Sequence, residues 1–337
     1  MRLVLVVALV VACGPPGSGR ETGPTSDGAA CTEPPDPGAR AHWRHTRTSL
    51  IVVSQGAPHH SARDPVVNGE QPIDLAGKFA YGRASKDLQD EEVVAYVQVG
   101  TCAPWREAAR GFTDSDGRLT LVVDGATFPG PGRYAFQMVA SGDSSRAPGA
   151  IYIVPRGRKT VVFDIDGTLT TGNSEVFKEI LAGAVPNMRD AADLVAARYE
   201  SAGYFIVYVT GRPYFLAPAS RAWLAARGFP DGPLRTADAM SDALPTEGSA
   251  GAYKLATLEQ LTSTAGIDFR YAYGNAGTDV CVYARAGIEP ARTFIIGERG
   301  GEACDGYARS QSLADYRSHL PSLGQLPPGS PPTDASH

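Results

Sequence analysis

The sequence predicts two folded parts: an all-β, immunoglobulin-like sandwich followed by an α/β domain with a doubly wound parallel sheet. Residues 42–155 contain short alternating strands separated by turn residues, without helical periodicity. From residue 156 onward, short buried strands alternate with helical segments, which is typical of a parallel sheet covered on both faces. The first of these strands ends in two aspartates one residue apart, so its carboxyl end is the expected ligand-binding edge.

Length and composition are those of an ordinary globular protein of about two domains. The chain has 337 residues, of which 43% are hydrophobic and 20% charged, and its formal net charge is -5. This charge gives no indication of nucleic-acid binding.

The N-terminus has the pattern of a processing signal. A basic start is followed by an apolar core, Leu3 to Val11, that is too short to span a bilayer. The small residue before Cys13 resembles a bacterial lipobox, which implies cleavage before Cys13 and lipidation of it; the alternative is an ordinary secretory signal. We therefore expect an exported lipoprotein on the periplasmic side of the bacterial envelope, anchored to the membrane by acyl chains. Residues 14–41 are the predicted flexible tether.

Four further cysteines are expected in an oxidising compartment, where disulfides persist. They are Cys31, Cys102, Cys281 and Cys304. Four cysteines allow three pairings, and the sequence does not choose among them; a bond between Cys281 and Cys304 is one that would stay within the second domain. These cysteines show no C-x-x-C spacing, which disfavours metal binding by them.

The sandwich, assigned to residues 42–155, is predicted from six strand candidates and the turns between them. Asp114-Ser-Asp116-Gly117 follows no buried strand, and we interpret it as a plain hairpin turn. His59 and His60 lie in a loop-like stretch, and a structural role is favoured over a metal-binding pair. The strand candidates are Ser49–Gln55, Pro72–Gly82, Glu91–Gly100, Arg118–Asp124, Arg133–Ala140 and Ala150–Val154.

The α/β domain is assigned to residues 156–322, where strands and helices alternate. Residues 323–337 are rich in Pro, Gly and Ser and are predicted to be a disordered tail. The predicted strands are Val161–Phe163, Tyr204–Thr210, Tyr271–Gly274 and Arg292–Ile296. The predicted helices are Asn187–Ala202, Ala217–Arg227, Tyr253–Thr264 and Ala276–Ala286.

Two carboxylates follow the first strand of this domain, in Asp164-Ile-Asp166-Gly167-Thr168. Residues i and i+2 of an extended chain point the same way, so both carboxylates can face one cavity. Adjacent carboxylates repel each other and call for a compensating cation. Mg²⁺ is the natural candidate, because it prefers hard oxygen ligands and accepts phosphate as a co-ligand. A surface turn is the alternative, but the buried strand before the motif argues against it.

The second strand is followed by Thr210, Gly211 and Arg212. A hydroxyl at a strand end, next to a glycine, can donate to a phosphoryl oxygen alongside backbone N–H groups. A strand-to-helix turn with Thr210 as cap is the alternative, and both interpretations can hold together. Arg212 is predicted either to contact substrate or to form a structural ion pair.

Two later segments carry further polar groups at strand or helix ends. Lys254 stands at the start of a helix, where the helix dipole disfavours a cation, so its position indicates a functional role rather than a surface lysine. Asn275 and Asp279 are oxygen donors four residues apart, directly after the third strand and Gly274.

These four segments resemble the four motifs of the haloacid dehalogenase-like phosphatases. The resemblance implies that Asp164 attacks phosphorus and that Asp166 is the acid/base. It implies that Lys254 neutralises the nucleophile and the phosphoryl group. Many members have Asp where Asn275 stands, and Asn offers the metal an oxygen but no charge. The residues implied to bind Mg²⁺ are Asp164, Asp166, Asn275 and Asp279. The residues expected to position or bind substrate are Thr168, Thr210, Gly211 and Arg212.

The Asn variant, together with Asp279, Val280 and Tyr283, is similar to the lipin-type subgroup, the LNS2 domain. The resemblance covers roughly residues 156–302 and implies a domain without a large cap. The order of a sandwich followed by such a domain resembles the order in lipins and in membrane-associated phosphatidylinositol transfer proteins. Because no transfer domain is visible, transfer activity is not expected.

The resemblance implies Mg²⁺-dependent hydrolysis of phosphatidate to diacylglycerol and phosphate. Non-catalytic relatives bind phosphatidate and have a degraded Asp pair, whereas Asp164 and Asp166 are both present here. Two alternatives remain: a phosphatase for soluble phosphomonoesters, because an uncapped site does not require a lipid, and a non-catalytic phosphatidate-binding module. The expected partners are a phospholipid or small phosphomonoester and a membrane.

Overall fold

The structure of the protein is a computed structural model that describes residues 42–172, 185–237 and 247–329. Within these ranges a β-sandwich precedes an α/β domain with a parallel sheet, which confirms the predicted fold class. The predicted signal, the lipidation at Cys13, the tether and Cys31 lie outside the described residues. In the part of the chain that is described, each helix is too short or too polar to traverse a bilayer.

The sandwich consists of one helix and two main sheets. The helix α1 spans Thr46–Val53. The strands are β1 (Ser61–Ala62), β2 (Val66–Val67), β3 (Ile73–Lys78), β4 (Ala80–Tyr81), β5 (Lys86–Asp87), β6 (Glu92–Gln98), β7 (Trp105–Phe112), β8 (Arg118–Val123), β9 (Gly132–Ala140) and β10 (Arg146–Ile153). One sheet has the order β1-β3-β8, the other the order β2-β10-β9-β6-β7, and β4 and β5 form a hairpin. Leu119, Leu121 and Val123 alternate into the core with the period of two that a half-buried strand requires.

Three sandwich predictions need correction. Residues 49–55, predicted as a strand, lie largely in helix α1, because Ser49 and the backbone N–H groups of Arg44 and His45 donate to the Glu91 carboxylate and hold this segment as a helical turn. Strand β7 was not predicted, because exposed charged residues interrupt its pattern at the edge of the sheet. The segment Asp114–Gly117 is a surface turn, as predicted, with the Asp114 carboxylate accepting from two backbone N–H groups. It is not a hairpin, because it joins β7 of one sheet to β8 of the other.

The α/β domain is built on six parallel strands in the order β13-β12-β11-β14-β15-β16. These strands are β11 (Lys159–Phe163), β12 (Phe205–Pro213), β13 (Leu234–Ala237), β14 (Asp268–Gly274), β15 (Thr293–Ile296) and β16 (Gln311–Leu313). The helices are α2 (Ala192–Ser201), α3 (Ala217–Ala226), α4 (Glu247–Ala265), α5 (Gly277–Arg285) and α6 (Tyr316–His319). Strand β11 is central, and the ends of β11, β12 and β14 lie at one edge of the sheet.

Two strands, one short helix and the segment after it differ from the prediction for this domain. Strands β13 and β16 and the short helix α6 were not predicted, because each has too few residues to show a period. Residues 323–329, predicted as part of a disordered tail, pack on the domain: Leu323 is buried, and the N–H of Gly329 donates to the carbonyl of Ala202. Cys281 and Cys304 form a disulfide that joins α5 to the segment after β15, as anticipated within this domain.

Candidate active site

Asp164 lies directly after β11, and its side chain is buried at the carboxyl end of the sheet. Its backbone N–H donates to the carbonyl of Tyr273 on β14, which extends the strand pairing by one residue. Its Oδ2 accepts from the Thr168 hydroxyl at 2.8 Å, and its Oδ1 accepts from Lys254 Nζ at 2.8 Å. The chain returns towards Asp164 because Gly167, at φ +76°, adopts a left-handed conformation.

Lys254 reaches the site from α4 and lies between two carboxylates. Its Nζ is 2.8 Å from Asp164 Oδ1 and 2.6 Å from Asp279 Oδ1, and 10% of its side chain is exposed. Burial acts to lower the pKa of Lys254, but Asp164 and Asp279 outweigh it and hold that pKa above its ordinary value. Burial raises the pKa of Asp164 to about 7, although the Lys254 ammonium opposes this effect. The lysine is therefore a fixed positive charge beside the carboxylate.

Asp279 and Asn275 come from the turn between β14 and α5. Asp279 Oδ2 accepts from the backbone N–H groups of Asn275, at 3.0 Å, and Ala276, at 3.1 Å, at the beginning of α5. Gly274 permits this close packing, because a Cβ there would lie 2.5 Å from the Asp279 Cβ. The Asn275 side-chain oxygen is 3.2 Å from the Thr168 hydroxyl, on the side where Asp164 Oδ2 also lies.

Asp166 is turned towards β12 and is held by Thr210 and Arg212. The Thr210 hydroxyl donates to Asp166 Oδ2 at 3.0 Å, Arg212 Nε donates to the same oxygen at 2.9 Å, and the Arg212 NH2 group donates to Oδ1 at 2.7 Å. Arg212 is buried, whereas 18% of the Asp166 side chain is exposed. Of the two roles predicted for Arg212, the structure shows the ion pair. Gly211 leaves open space, since a Cβ there would meet no atom within 4 Å.

The oxygen atoms at the site agree in part with the predicted Mg²⁺ site. Asp164 Oδ2 and the Asn275 oxygen converge around Thr168, and hard oxygen atoms of this kind suit Mg²⁺. Both oxygens of Asp279 accept hydrogen bonds and its side chain has no exposed surface, so Asp279 as a direct ligand stays a prediction. Among the described residues, no three His, Cys, Asp or Glu side chains are grouped to hold a metal. Asp164 and Asn275 are the side chains that the geometry favours as ligands, and the main-chain carbonyl of Asp166, which the family resemblance implies, stays a prediction.

Three residues that support the site were not predicted. Arg189 Nε donates to the carbonyl of Gly167 at 2.9 Å, and the Tyr316 hydroxyl donates to the carbonyl of Thr168 at 3.2 Å. The Ser220 hydroxyl on α3 accepts from Arg212 at 2.8 Å. None of them belongs to a motif, and Tyr316 lies 148 residues after Thr168.

Two models of protein domains match this chain, one for each of its two parts. Residues 161–297 match the LNS2 domain of PITM 1-3, and residues 58–153 match the beta-sandwich domain of PITM 1-3. The two domains therefore follow each other here in the order of sandwich and LNS2 domain. These matches support the predicted LNS2-type domain and the sandwich before it.

Similar complete proteins are animal proteins. The chain is 33% identical over 295 residues to human "Membrane-associated phosphatidylinositol transfer protein 1", covering 86% of this chain and 22% of that protein. It is 30% identical over 288 residues to "Protein retinal degeneration B" of Drosophila melanogaster, covering 84% of this chain and 21% of that protein. The chain thus spans about a fifth of the length of these relatives. The bacterial lipoprotein stays a prediction.

Solved structures are less similar to this chain in sequence. One from Mesorhizobium loti, "Crystal structure of a putative had-like phosphatase", is 17% identical, with a TM-score of 0.35, over 50% of this chain and 85% of that chain.

Proposed function

We propose that the protein is a Mg²⁺-dependent phosphomonoester hydrolase that acts through an aspartyl-phosphate on Asp164. The observation that carries the proposal is the arrangement of Asp164: a buried carboxylate at the end of the central strand, with Lys254 on one oxygen and Thr168 on the other. Asp166 is held two residues away. A nucleophile, a fixed cation and a second carboxylate are the groups that phosphoryl transfer through a covalent intermediate requires.

The reaction divides into two displacements at phosphorus. In the first, an Asp164 oxygen forms a bond to phosphorus while the bond to the leaving-group oxygen breaks, and Asp166 gives that oxygen a proton. In the second, water attacks the aspartyl-phosphate, the phosphorus–Asp164 bond breaks, and Asp166 takes the proton that water releases. Lys254 balances the negative charge on Asp164 and the phosphoryl oxygens throughout.

Mg²⁺, held by Asp164, Asn275 and the Asp166 carbonyl, would supply positive charge to the phosphate. Thr210 and Arg212 keep the Asp166 carboxylate in one orientation, and its exposed edge leaves it accessible for proton transfer.

Phosphatidate or a related phospholipid is the substrate that we propose. The similarity to proteins named as membrane-associated phosphatidylinositol transfer proteins supports a phospholipid, as does the resemblance of the Asn275 motif to the lipin-type subgroup. A soluble phosphomonoester is the competing substrate class.

A second candidate function is phosphatidate binding without hydrolysis. It is favoured by the four hydrogen bonds that Thr210 and Arg212 donate to the Asp166 carboxylate. These bonds oppose the reorientation of Asp166 towards a leaving group. Asn275 favours it too, because an amide adds no charge for a metal ion.

Asp164→Asn is expected to abolish phosphate release while the protein stays folded, because an amide oxygen is a poor nucleophile. Phosphate release is measured from phosphatidate in mixed micelles and from an aryl phosphate, with Mg²⁺ or with EDTA. Release from phosphatidate alone supports the lipid substrate, and release from both supports a general phosphatase.

The second Asp-x-Asp-Gly segment offers a matched control, since Asp116→Asn changes the same residue type in a surface turn and should leave turnover intact. If the wild type releases no phosphate but binds phosphatidate vesicles, the binding function replaces the enzymatic one. A wild-type rate in Asp164→Asn would exclude Asp164 as the nucleophile.

A further inference from the structure

Asp64 is a carboxylate with no exposed surface that lies in the sandwich, between β1 and β2. Its Oδ1 accepts from the backbone N–H of Ala150, on β10 of the same domain, at 2.8 Å. The other hydrogen bonds of Asp64, and its ion pair, are made with residues of the α/β domain. A buried charge is costly unless it is paired and hydrogen-bonded, so a carboxylate in this position calls for an explanation.

The partners of Asp64 on the α/β domain belong to α3 and β13. Asp64 Oδ2 accepts from the backbone N–H of Leu234 at 3.0 Å and forms an ion pair with Arg221. The carbonyl of Asp64 accepts from the Arg235 guanidinium, and Arg221 also donates to the carbonyl of Ala62 at 3.2 Å. One residue of the sandwich therefore fixes a helix and an edge strand of the neighbouring domain.

These two elements flank β12, whose end carries Thr210 and Arg212. Strand β13 pairs with β12 at Tyr208 and Val209, immediately before Thr210. On α3, the residue before Arg221 is Ser220, which is fully buried and accepts from Arg212 at 2.8 Å.

A continuous set of contacts, buried except at the partly exposed Arg221, thus runs from the sandwich to the site. Asp64 holds Arg221, the adjoining Ser220 holds Arg212, and Arg212 holds both oxygens of Asp166. Arg212 is 1% exposed, so its guanidinium has little freedom to find other partners.

We propose that Asp64 is a positioning residue for the phosphatase site: through α3, Ser220 and Arg212 it fixes the orientation of the Asp166 carboxylate. The expected effect on turnover rests on the proposed function, whereas the connection from Asp64 through α3 to Arg212 does not. The sandwich then contributes to the geometry of the site, and in the α/β domain without it the Asp166 carboxylate would be more mobile.

The test compares Asp64→Asn, Ser220→Ala and the double variant in the full chain. Asp64→Asn keeps the size of the side chain and an acceptor for Ala150 but removes the charge that pairs with Arg221. We expect kcat for an aryl phosphate to fall about tenfold in Asp64→Asn, because small displacements of reacting groups are costly, while KM changes by less than about twofold. We expect the double variant to lose little more than the more impaired single variant, because both changes act on one path.

Hydrogen exchange supplies a readout that does not depend on catalysis. In Asp64→Asn we expect faster exchange in peptides covering residues 208–222 and unchanged exchange in those covering 268–285. Asp231→Asn is the matched control: it removes an exposed carboxylate at the same interface whose ion pair with Arg133 and hydrogen bond from Tyr152 both go to the sandwich, and it should change neither kcat nor exchange at 208–222.

Each outcome decides the proposal. If Asp64→Asn does not fold, Arg221→Gln replaces it, because Arg221 is partly exposed and Asp64 keeps its two backbone donors. Additive losses of kcat, a change confined to KM, or unchanged exchange at 208–222 would each overturn the positioning role. If the wild type shows no turnover, the proposed function fails, and the exchange result alone supports or overturns the connection between Asp64 and β12–α3.

Discussion

At the scale of single residues, Asp164, Lys254 and Asp279 form a buried charged cluster that is costly to desolvate. Two carboxylates and one ammonium lie together with almost no exposed surface. Their mutual pairing, the Thr168 hydroxyl and the backbone N–H groups at the beginning of α5 offset the free-energy cost of removing water from them. A net negative charge remains, which suits a site built to receive a cation.

His60 is a second buried titratable side chain, in the sandwich core. The backbone N–H of Ala80 donates to its Nδ1 at 3.2 Å, so the ring proton belongs on Nε2, which lies 2.7 Å from the Ser145 hydroxyl. Burial lowers the pKa of His60 to about 4, with Asp143 opposing this effect. Protonation would place a hydrogen on Nδ1 against the Ala80 N–H, so the fold disfavours the charged ring.

This burial predicts a specific loss of stability in acid. Between pH 6.5 and pH 4 the unfolded chain binds a proton at His60 that the folded chain does not, so stability falls as the pH falls through this window, by up to about 3 kcal/mol. His60→Asn should be less stable at pH 7 but should lose about 2–3 kcal/mol less than the wild type on going to pH 4.5. Urea unfolding at both pH values measures this difference. The exposed His42→Asn is the control, and parallel losses in wild type and His60→Asn would contradict the prediction.

Single residues also show how far sequence patterns reach. Asp164, Thr210 and Asn275 could be placed together beforehand because each follows a buried strand, and parallel strands end at one edge. The pairing of Arg212 with Asp166 crosses 46 residues, and that of Arg221 with Asp64 crosses 157. No periodicity encodes such contacts, since they depend on how two folded surfaces meet.

At the scale of secondary-structure elements, the segment after α6 shows how composition can mislead. Pro, Gly and Ser are poor at forming helices and strands, which suggested disorder from residue 323. In the structure, carbonyl groups of this segment accept from side chains of the α/β domain: Arg198 donates to Leu323 at 3.2 Å, and Tyr204 donates to Pro327 at 3.0 Å. An extended segment can thus be ordered without regular structure of its own.

Leu323 provides the test of this packing, because only 4% of it is exposed and it joins the core of the α/β domain. Leu323→Ala should lower the free energy of unfolding by about 2–4 kcal/mol, the usual range for a buried leucine. The matched control is Leu50→Ala, at a residue that is 52% exposed on α1, which should cost less than about 0.5 kcal/mol. Urea denaturation measures the free energy of unfolding of both variants. Equally small losses in the two would support the prediction that this segment is disordered.

At the scale of the whole molecule, each domain has a core of its own, and the two domains share a further buried apolar cluster. Val66, Ala150 and Tyr152 of the sandwich pack in the same buried cluster as Val162 and Val207 of the parallel sheet. Polar contacts surround this cluster, among them the Tyr152 hydroxyl, which lies 3.2 Å from the Asp231 carboxylate, and the ion pair of Asp64. The interface therefore has the apolar centre and polar surroundings of a permanent association.

A shared cluster predicts that the two domains unfold together. In scanning calorimetry we expect one peak whose calorimetric and van't Hoff enthalpies agree, because neither domain can open without exposing the common apolar cluster. Two resolved transitions, or a van't Hoff enthalpy well below the calorimetric one, would show that the domains are independent. The fold class could be predicted for each domain separately. The shared cluster could not be predicted, because the strand and helix patterns of each domain give no sign of which residues face the other domain.

The hydrogen bond from Tyr316 to the carbonyl of Thr168 also has a consequence for biosynthesis. The loop that carries Asp164 and Asp166 leaves the ribosome 148 residues before the tyrosine that braces it. At about 5–20 residues per second, this interval lasts about 7–30 s. In a nascent chain the loop of Asp164 and Asp166 therefore lacks the Tyr316 hydrogen bond for that time, and the completed site forms late in translation.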